Sequence, residues 1–125
     1  MSVRISDVKS KYYVSSTGHG SNDRVQLEGL PSPTCWLRGV QFTLPTANAF
    51  ISGGDRFDLV TSTAGEGDMP TQDQILISFP SPYYFGSQNF FFPEDSYFVI
   101  TDSELYVTCS NDWQLNRYVI TVYYT

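Results

Sequence analysis

The sequence predicts an all-β domain: a jelly-roll-like, two-sheet antiparallel β-sandwich of about eight strands. Short β-branched and aromatic runs recur along the chain. Clusters of Gly, Pro, Ser, Thr, Asn and Asp separate them, and no stretch keeps the apolar period of a long amphipathic helix. With 125 residues, 41% of them hydrophobic, and no fixed-period repeat, the chain makes one domain, neither disordered nor a solenoid.

The candidate strands follow in order. Val3 and Ile5 alternate weakly with Arg4 and Ser6 across residues 3–8, and residues 12–14 form a short second run. In 24–30, Val25 and Leu27 alternate with Gln26 and Glu28. Residues 35–44 form a long strand with Trp36, Val40, Phe42 and Leu44 on one face. Residues 56–62 carry Phe57 and Leu59 against Asp58 and Val60, and 74–79 carry Ile75, Ile77 and Phe79 on one face. Residues 97–101 are apolar on both faces, 104–109 align Leu105, Val107 and Cys109, and 117–124 are again apolar on both faces. Turn residues lie between them at 52–55, 65–68, 80–82, 93–95, 101–103 and 110–112. The last two runs read as a hairpin whose tip holds Trp113 and Leu115, folded back or pressed on a partner. Strands apolar on both faces need cover on both, and one sandwich covers only one. A neighbouring subunit could supply the other cover.

Charge narrows the function. Lys and Arg number 7 against 13 Asp and Glu, a net −6, so the molecule lacks the positive face that a phosphate backbone requires. Charged residues are 16% of the chain, below the ~25% of ordinary globular proteins, which leaves much surface uncharged. No window reaches the ~18 apolar residues of a membrane span, and the first residues hold no secretory h-region, so cytoplasmic synthesis is expected. Cys35 and Cys109 fit two separate buried thiols or one long-range bridge; no CxxC suggests zinc.

Two features suggest contacts. Residues 1–24 hold Arg4, Lys9, Lys11 and Arg24 against Asp7 and Asp23, a net +2, while the remainder carries −8. This segment, with Tyr12 and Tyr13, is either a basic arm that docks on an acidic surface or an edge strand blunted by lysines, ahead of a sandwich domain over 25–125. The second feature is the uncharged run at 83–92, where Tyr83, Tyr84, Phe85, Phe90, Phe91 and Phe92 are six aromatics in ten residues. Exposed, it is an interface or a stacking platform; alternating, it places half its rings in the core.

Other signals point away from chemistry. The acidic turns (Asp55 with Asp58, Glu66 with Asp68, Glu94 with Asp95, and Asp112) match no calcium-loop spacing and read as solvated. The single histidine, His19, lies in a Gly-Ser loop that gives a catalytic base no rigid support, and no GxSxG surrounds a serine. Neither a Walker A loop nor a GxGxxG is present, and a small β chain has little room for a two-carboxylate sugar cleft. A non-enzymatic protein without cofactor or metal is expected. Arg38 interrupts the apolar face of its strand. It either pairs with Asp58, should the two strands face each other, or is turned outward by a bulge at Gly39.

A short, acidic, Lys-poor β chain with a basic segment at 1–24 and the aromatic run at 83–92 resembles the cement, or decoration, proteins of bacteriophage capsids. The resemblance is architectural and spans the whole chain. It implies a homotrimer on the outer surface of a virion, bridging subunits of the major capsid (coat) protein, with no nucleic-acid or membrane partner. Residues 1–24 would then reach over coat protein, and the aromatic run would meet coat or a sister subunit. A tail or fibre domain is similar in character. The alternative class is a carbohydrate-binding module or lectin, with Tyr83, Tyr84 and Trp113 stacking on sugars and Asn111 and Asp112 bonding hydroxyls.

Overall fold

The computed structural model describes residues 7–14, 19–44, 56–80, 86–93, 96–110 and 119–125. These form nine strands and, among the described residues, no α-helix: β1 (Lys9–Val14), β2 (Val25–Gln26), β3 (Thr34–Leu44), β4 (Arg56–Val60), β5 (Ile75–Pro80), β6 (Gly86–Phe91), β7 (Phe98–Thr101), β8 (Tyr106–Cys109) and β9 (Val119–Tyr124). One sheet runs β1-β9-β3-β6, with β7 also on β3, and the other runs β2-β8-β4-β5.

The antiparallel pairings nest. β1 lies with β9, β2 with β8, β3 with β6 and β7, and β4 with β5. A long hairpin rolled so that successive levels alternate between two sheets gives this order, which is that of a jelly roll. β6 and β7 share one flank of β3: Phe91 pairs with Gly39 and Phe98 with Leu37, and between them Phe92 N–H donates to the Arg38 carbonyl.

The fold corrects the expected hairpin of the last two strands. β8 pairs with β2 and β4, while β9 pairs with β1 and β3 in the opposite sheet. In a rolled hairpin the final connection crosses between sheets. β6 falls within the aromatic run at 83–92, which was not among the candidate strands, and the run at 24–30 contributes only Val25–Gln26 to a ladder. The expected strand at 3–8 is not seen at residues 7 and 8, and its first four positions lie outside the described residues.

The inner faces are built by alternation. Val40 and Phe42 of β3 and Ile120 and Val122 of β9 meet Phe57, Leu59, Ile77, Phe79, Val107 and Cys109 of the other sheet. Phe42 is the hub: its ring lies 4.5 Å from that of Phe57 and 5.7 Å from that of Phe79. Cys35 and Cys109 are both buried free thiols, so the two-thiol alternative holds. Burial raises the Cys35 thiol pKa above its ordinary value, which keeps it protonated and unreactive.

β3 does not alternate throughout. Leu37 pairs with Tyr124 but Gly39 with Tyr123, so Arg38 is an extra residue on β3. The bulge reverses the parity of the strand. Cys35 and Leu37 point inward before it, and Val40 and Phe42 after it. Trp36, expected on the core face with Val40 and Phe42, is therefore outside and 42% exposed. Gly39 is required here. A Cβ would enter the Phe91 ring and stand 2.9 Å from the Phe90 carbonyl oxygen. The ring crosses the gap and leans on Tyr123, 5.2 Å between centroids.

Arg24 holds the long β4–β5 connection. It is buried, and its guanidinium donates to the carbonyls of Asn22 (2.7 Å), Asp68 (3.2 Å) and Gly65 (3.4 Å). The Glu66 carboxylate accepts from the Arg24 backbone N–H at 3.1 Å. One cation of the basic segment is thus internal.

Two outcomes follow from these contacts. Gly39→Ala should lower stability by about 1–3 kcal/mol, read as a shift in urea midpoint at unchanged slope, because overpacking forces the ladder apart. Arg24→Met should raise amide exchange and proteolytic cleavage at 64–68 well before it affects Phe42 or Val122. Uniform exchange across the domain would mean that the connection is not separately held.

Candidate functional site

The outer face of the five-stranded sheet is the candidate site. Register fixes its members. Ser10, Tyr12 and Val14 of β1 lie beside Tyr123, Thr121 and Val119 of β9, and these lie beside Gly39, Gln41 and Thr43 of β3. Asn89 and Phe91 of β6 continue the face on the far flank. Beyond the bulge, Trp36 and Val99 continue it, with Tyr97 just ahead of β7. Tyr12 is 71% exposed and Phe91 55%, and Val14, Tyr97, Val99 and Trp36 are also exposed.

None of these outward residues is acidic. The described carboxylates lie elsewhere: Asp7 ahead of β1, Asp23 and Glu28 around β2, Asp58 on β4, Glu66, Asp68 and Asp73 between β4 and β5, and Asp102 and Glu104 between β7 and β8. A chain of net charge −6 therefore presents, among the described residues, an aromatic face without a carboxylate on one sheet. Four strands at ~4.8 Å spacing and ~20–35 Å length give a face of roughly 400–700 Å². That approaches the ~800 Å² each partner buries in a standard interface.

Arg38 is the charge on this face. It does not meet Asp58, whose carboxylate accepts from Arg56 Nε at 2.9 Å and from the Ser78 hydroxyl at 2.6 Å. The bulge turns Arg38 outward, as the other alternative required. Its Nε donates to Thr125 Oγ1 (3.1 Å) and its Nη1 to the Ser96 carbonyl (2.9 Å). Its guanidinium carbon lies 5.4 Å from the Trp36 ring centre and 5.0 Å from that of Tyr97, and those two rings stack at 4.6 Å. Beside them is a shallow cleft of about 320 Å³ lined by Thr34, Cys35, Trp36 and Thr125.

The sequence-selected residues divide. Tyr12 and Phe91 are on the outer face. Phe90 and Phe92 are at the sheet margin, edge to face at 5.1 Å, with Phe92 packed on the core. Lys9, Lys11 and Tyr13 share the opposite side of β1, in register with Tyr124, Val122 and Ile120. Lys11 Nζ packs over Gly29 and lies 5.7 Å from the Tyr13 ring, and Tyr13 donates to the Glu28 carbonyl at 2.7 Å. Residues 9–14 form an edge strand of the sandwich, and Lys11 and Tyr13 tie it to the β2–β3 connection. Arg4, Tyr83, Tyr84, Phe85, Asn111, Asp112 and Trp113 lie outside the described residues.

Trp36, Tyr97, Val99 and Tyr123 were not selected from sequence. Tyr97 with Val99, and Thr121 with Tyr123, do alternate as one face, but which side faces outward is set by pairing. His19 is half-buried in the segment ahead of β2, where Gly20 N–H donates to the Asp23 carboxylate at 2.8 Å. Among the described residues no three His, Cys, Asp or Glu gather to hold a metal ion, and no helix is long and apolar enough to cross a membrane.

Fold and face together define a jelly roll with an aromatic sheet surface that bears no described carboxylate. Compared with protein-family models, curated proteins and solved structures, the chain finds no match.

The Tyr13 clamp sets an alkaline limit. Burial, reinforced by Tyr124, raises the Tyr13 pKa to about 12 from 10.0. The neutral phenol is favoured in the fold, so its contribution is fully present below pH 10 and is lost as pH rises to about 12. Stability measured by urea unfolding should fall across that window. Tyr13→Phe should flatten the fall, and an unchanged slope in that variant would assign it to other tyrosines.

Proposed function

We propose that this protein is a non-enzymatic structural protein of a virion, docking through the outer face of its five-stranded sheet on an assembled capsid and bridging coat subunits. The observation that carries the reading is the exposed Tyr12, Trp36, Phe91, Tyr97 and Val99 surface without a described carboxylate. Exposed aromatic side chains on a face without a described carboxylate suit an interaction site, and aromatic residues are enriched where interfaces are buried. The jelly roll is a fold of viral capsid and lectin domains alike, so the surface rather than the fold selects the function. A trimer would present three such faces and hold a shell by avidity. Binding only the assembled form would then stabilise it.

The test joins native mass to capture. Light scattering should return three times the 14.1 kDa chain mass. Assembled heads of the encoding phage should sediment with the protein. Phe91→Asp and Tyr12→Asp should each weaken capture at least about tenfold, with a modest fall in melting temperature for Phe91→Asp, whose ring packs over Gly39, and little change for the more exposed Tyr12. A monomer that no shell captures would end the reading.

A second reading has one observation behind it. Trp36 and Tyr97 stack 14° from coplanar and are both exposed, which suits them to a sugar ring. Glycan-array binding that disappears in Trp36→Ala would favour a lectin over a capsid protein.

A further inference from the structure

We propose that Arg38 is a receptor for a single carboxylate, supplied by an acidic side chain of the protein on which the aromatic face docks. The inference rests on the docking reading and names the chemistry at its centre.

The site is built rather than incidental. Arg38 is only 9% exposed, yet it lies on an outward face. Interruptions on both flanks put it there: the extra residue against β9, and the break in pairing between Phe91 of β6 and Phe98 of β7. Its backbone is fixed, since its carbonyl accepts from Phe92 N–H at 2.9 Å and Trp36 and Thr125 exchange two bonds of 2.9 Å beside it. A guanidinium stays charged at any physiological pH, and burying it is costly without an opposite charge. Both of its hydrogen-bond acceptors, Thr125 Oγ1 and the Ser96 carbonyl, are neutral. No described side-chain carboxylate bonds to it.

The donor count gives the ligand. A guanidinium has five N–H groups, and two are used. One on Nη1 and both on Nη2 remain. Nη2 bonds to no described residue, and Arg38 keeps 9% of its surface open to solvent. Two parallel N–H groups are the fork that a carboxylate accepts. The Trp36 and Tyr97 rings wall one side and would exclude water from the pair. A polyanion is disfavoured, because the molecule carries −6. A lone Asp or Glu on an otherwise apolar protein surface meets both conditions.

The experiment uses the intact chain. N-acetyl-glutamate α-amide is titrated while the Arg38 Nε–H and Trp36 indole N–H resonances are followed. The glutamine analogue and glucuronate serve as comparison arms. Saturable shifts with the glutamate compound, at least about tenfold weaker with the glutamine analogue, are expected. Arg38→Met should abolish them, and Arg38→Lys, which keeps charge but lacks the fork, should weaken them about tenfold. Equal shifts for glutamate and glutamine, or a preference for glucuronate, would overturn the proposal without needing any variant to fold. Shell capture separates the two readings. Wild-type capture that survives Arg38→Met refutes the carboxylate site and leaves docking intact. Absence of wild-type capture refutes docking, while the titration still decides whether Arg38 takes a carboxylate.

Discussion

The structure turns on one extra residue in its longest strand. β3 touches β9, β6 and β7 and contributes to the core along most of its length, so its side-chain parity governs the larger sheet. Without the bulge at Arg38, either Cys35 and Leu37 or Val40 and Phe42 would point into the core, but not both pairs. A strand of 11 residues would otherwise twist away from the facing sheet. The bulge lets all four be buried and places Trp36 outside. Gly39 is the matching half of the device, because the space it leaves is filled by the Phe91 ring from the neighbouring strand. Core and aromatic face are thus two results of one irregularity.

The nested pairing explains how so small a domain carries an open hydrophobic face. Its edges are managed unevenly. β1 bears Lys9 and Lys11, β2 is two residues long, and β5 ends at Pro80, each a recognised way of blunting a sheet edge. β6 carries neither charge nor proline and ends on two phenylalanines. The side of the molecule that includes β6 is also the side with the aromatic face. Sheet edge and sheet face converge there, while Arg24 and the turn of Glu66 and Asp68 belong to the opposite sheet and its connections.

Much of the architecture was legible because the strands of the smaller sheet alternate cleanly. Ile77 and Phe79, and Leu105, Val107 and Cys109, announce period two and an inward face, although Asp58, Val60 and Thr108 between such positions are buried as well. The fold class and the sandwich follow from such runs. What failed were inferences across irregularities. Trp36 was assigned inward by extending period two through a bulge that sequence does not mark. β8 and β9 were paired because neighbours in sequence usually pair, whereas a rolled hairpin sends them to different sheets. β6 was hidden because Gly86, Ser87, Gln88 and Asn89 have low strand preference, and pairing with β3 overrides it. At the site, Tyr12 and Phe91 stood out as exposed-aromatic candidates. Trp36, Tyr97 and Tyr123 did not, because their faces are decided by register with other strands.

The separation of charge has a consequence for how the molecule meets another surface. The described carboxylates on the turns repel an acidic neighbour over a screening distance of ~8 Å at physiological salt, whereas the outer face of the larger sheet carries no described carboxylate. Random collisions are thereby biased in orientation: the charged sides are held off and the aromatic side is free to touch. The same charges oppose stacking of additional copies once that side is occupied.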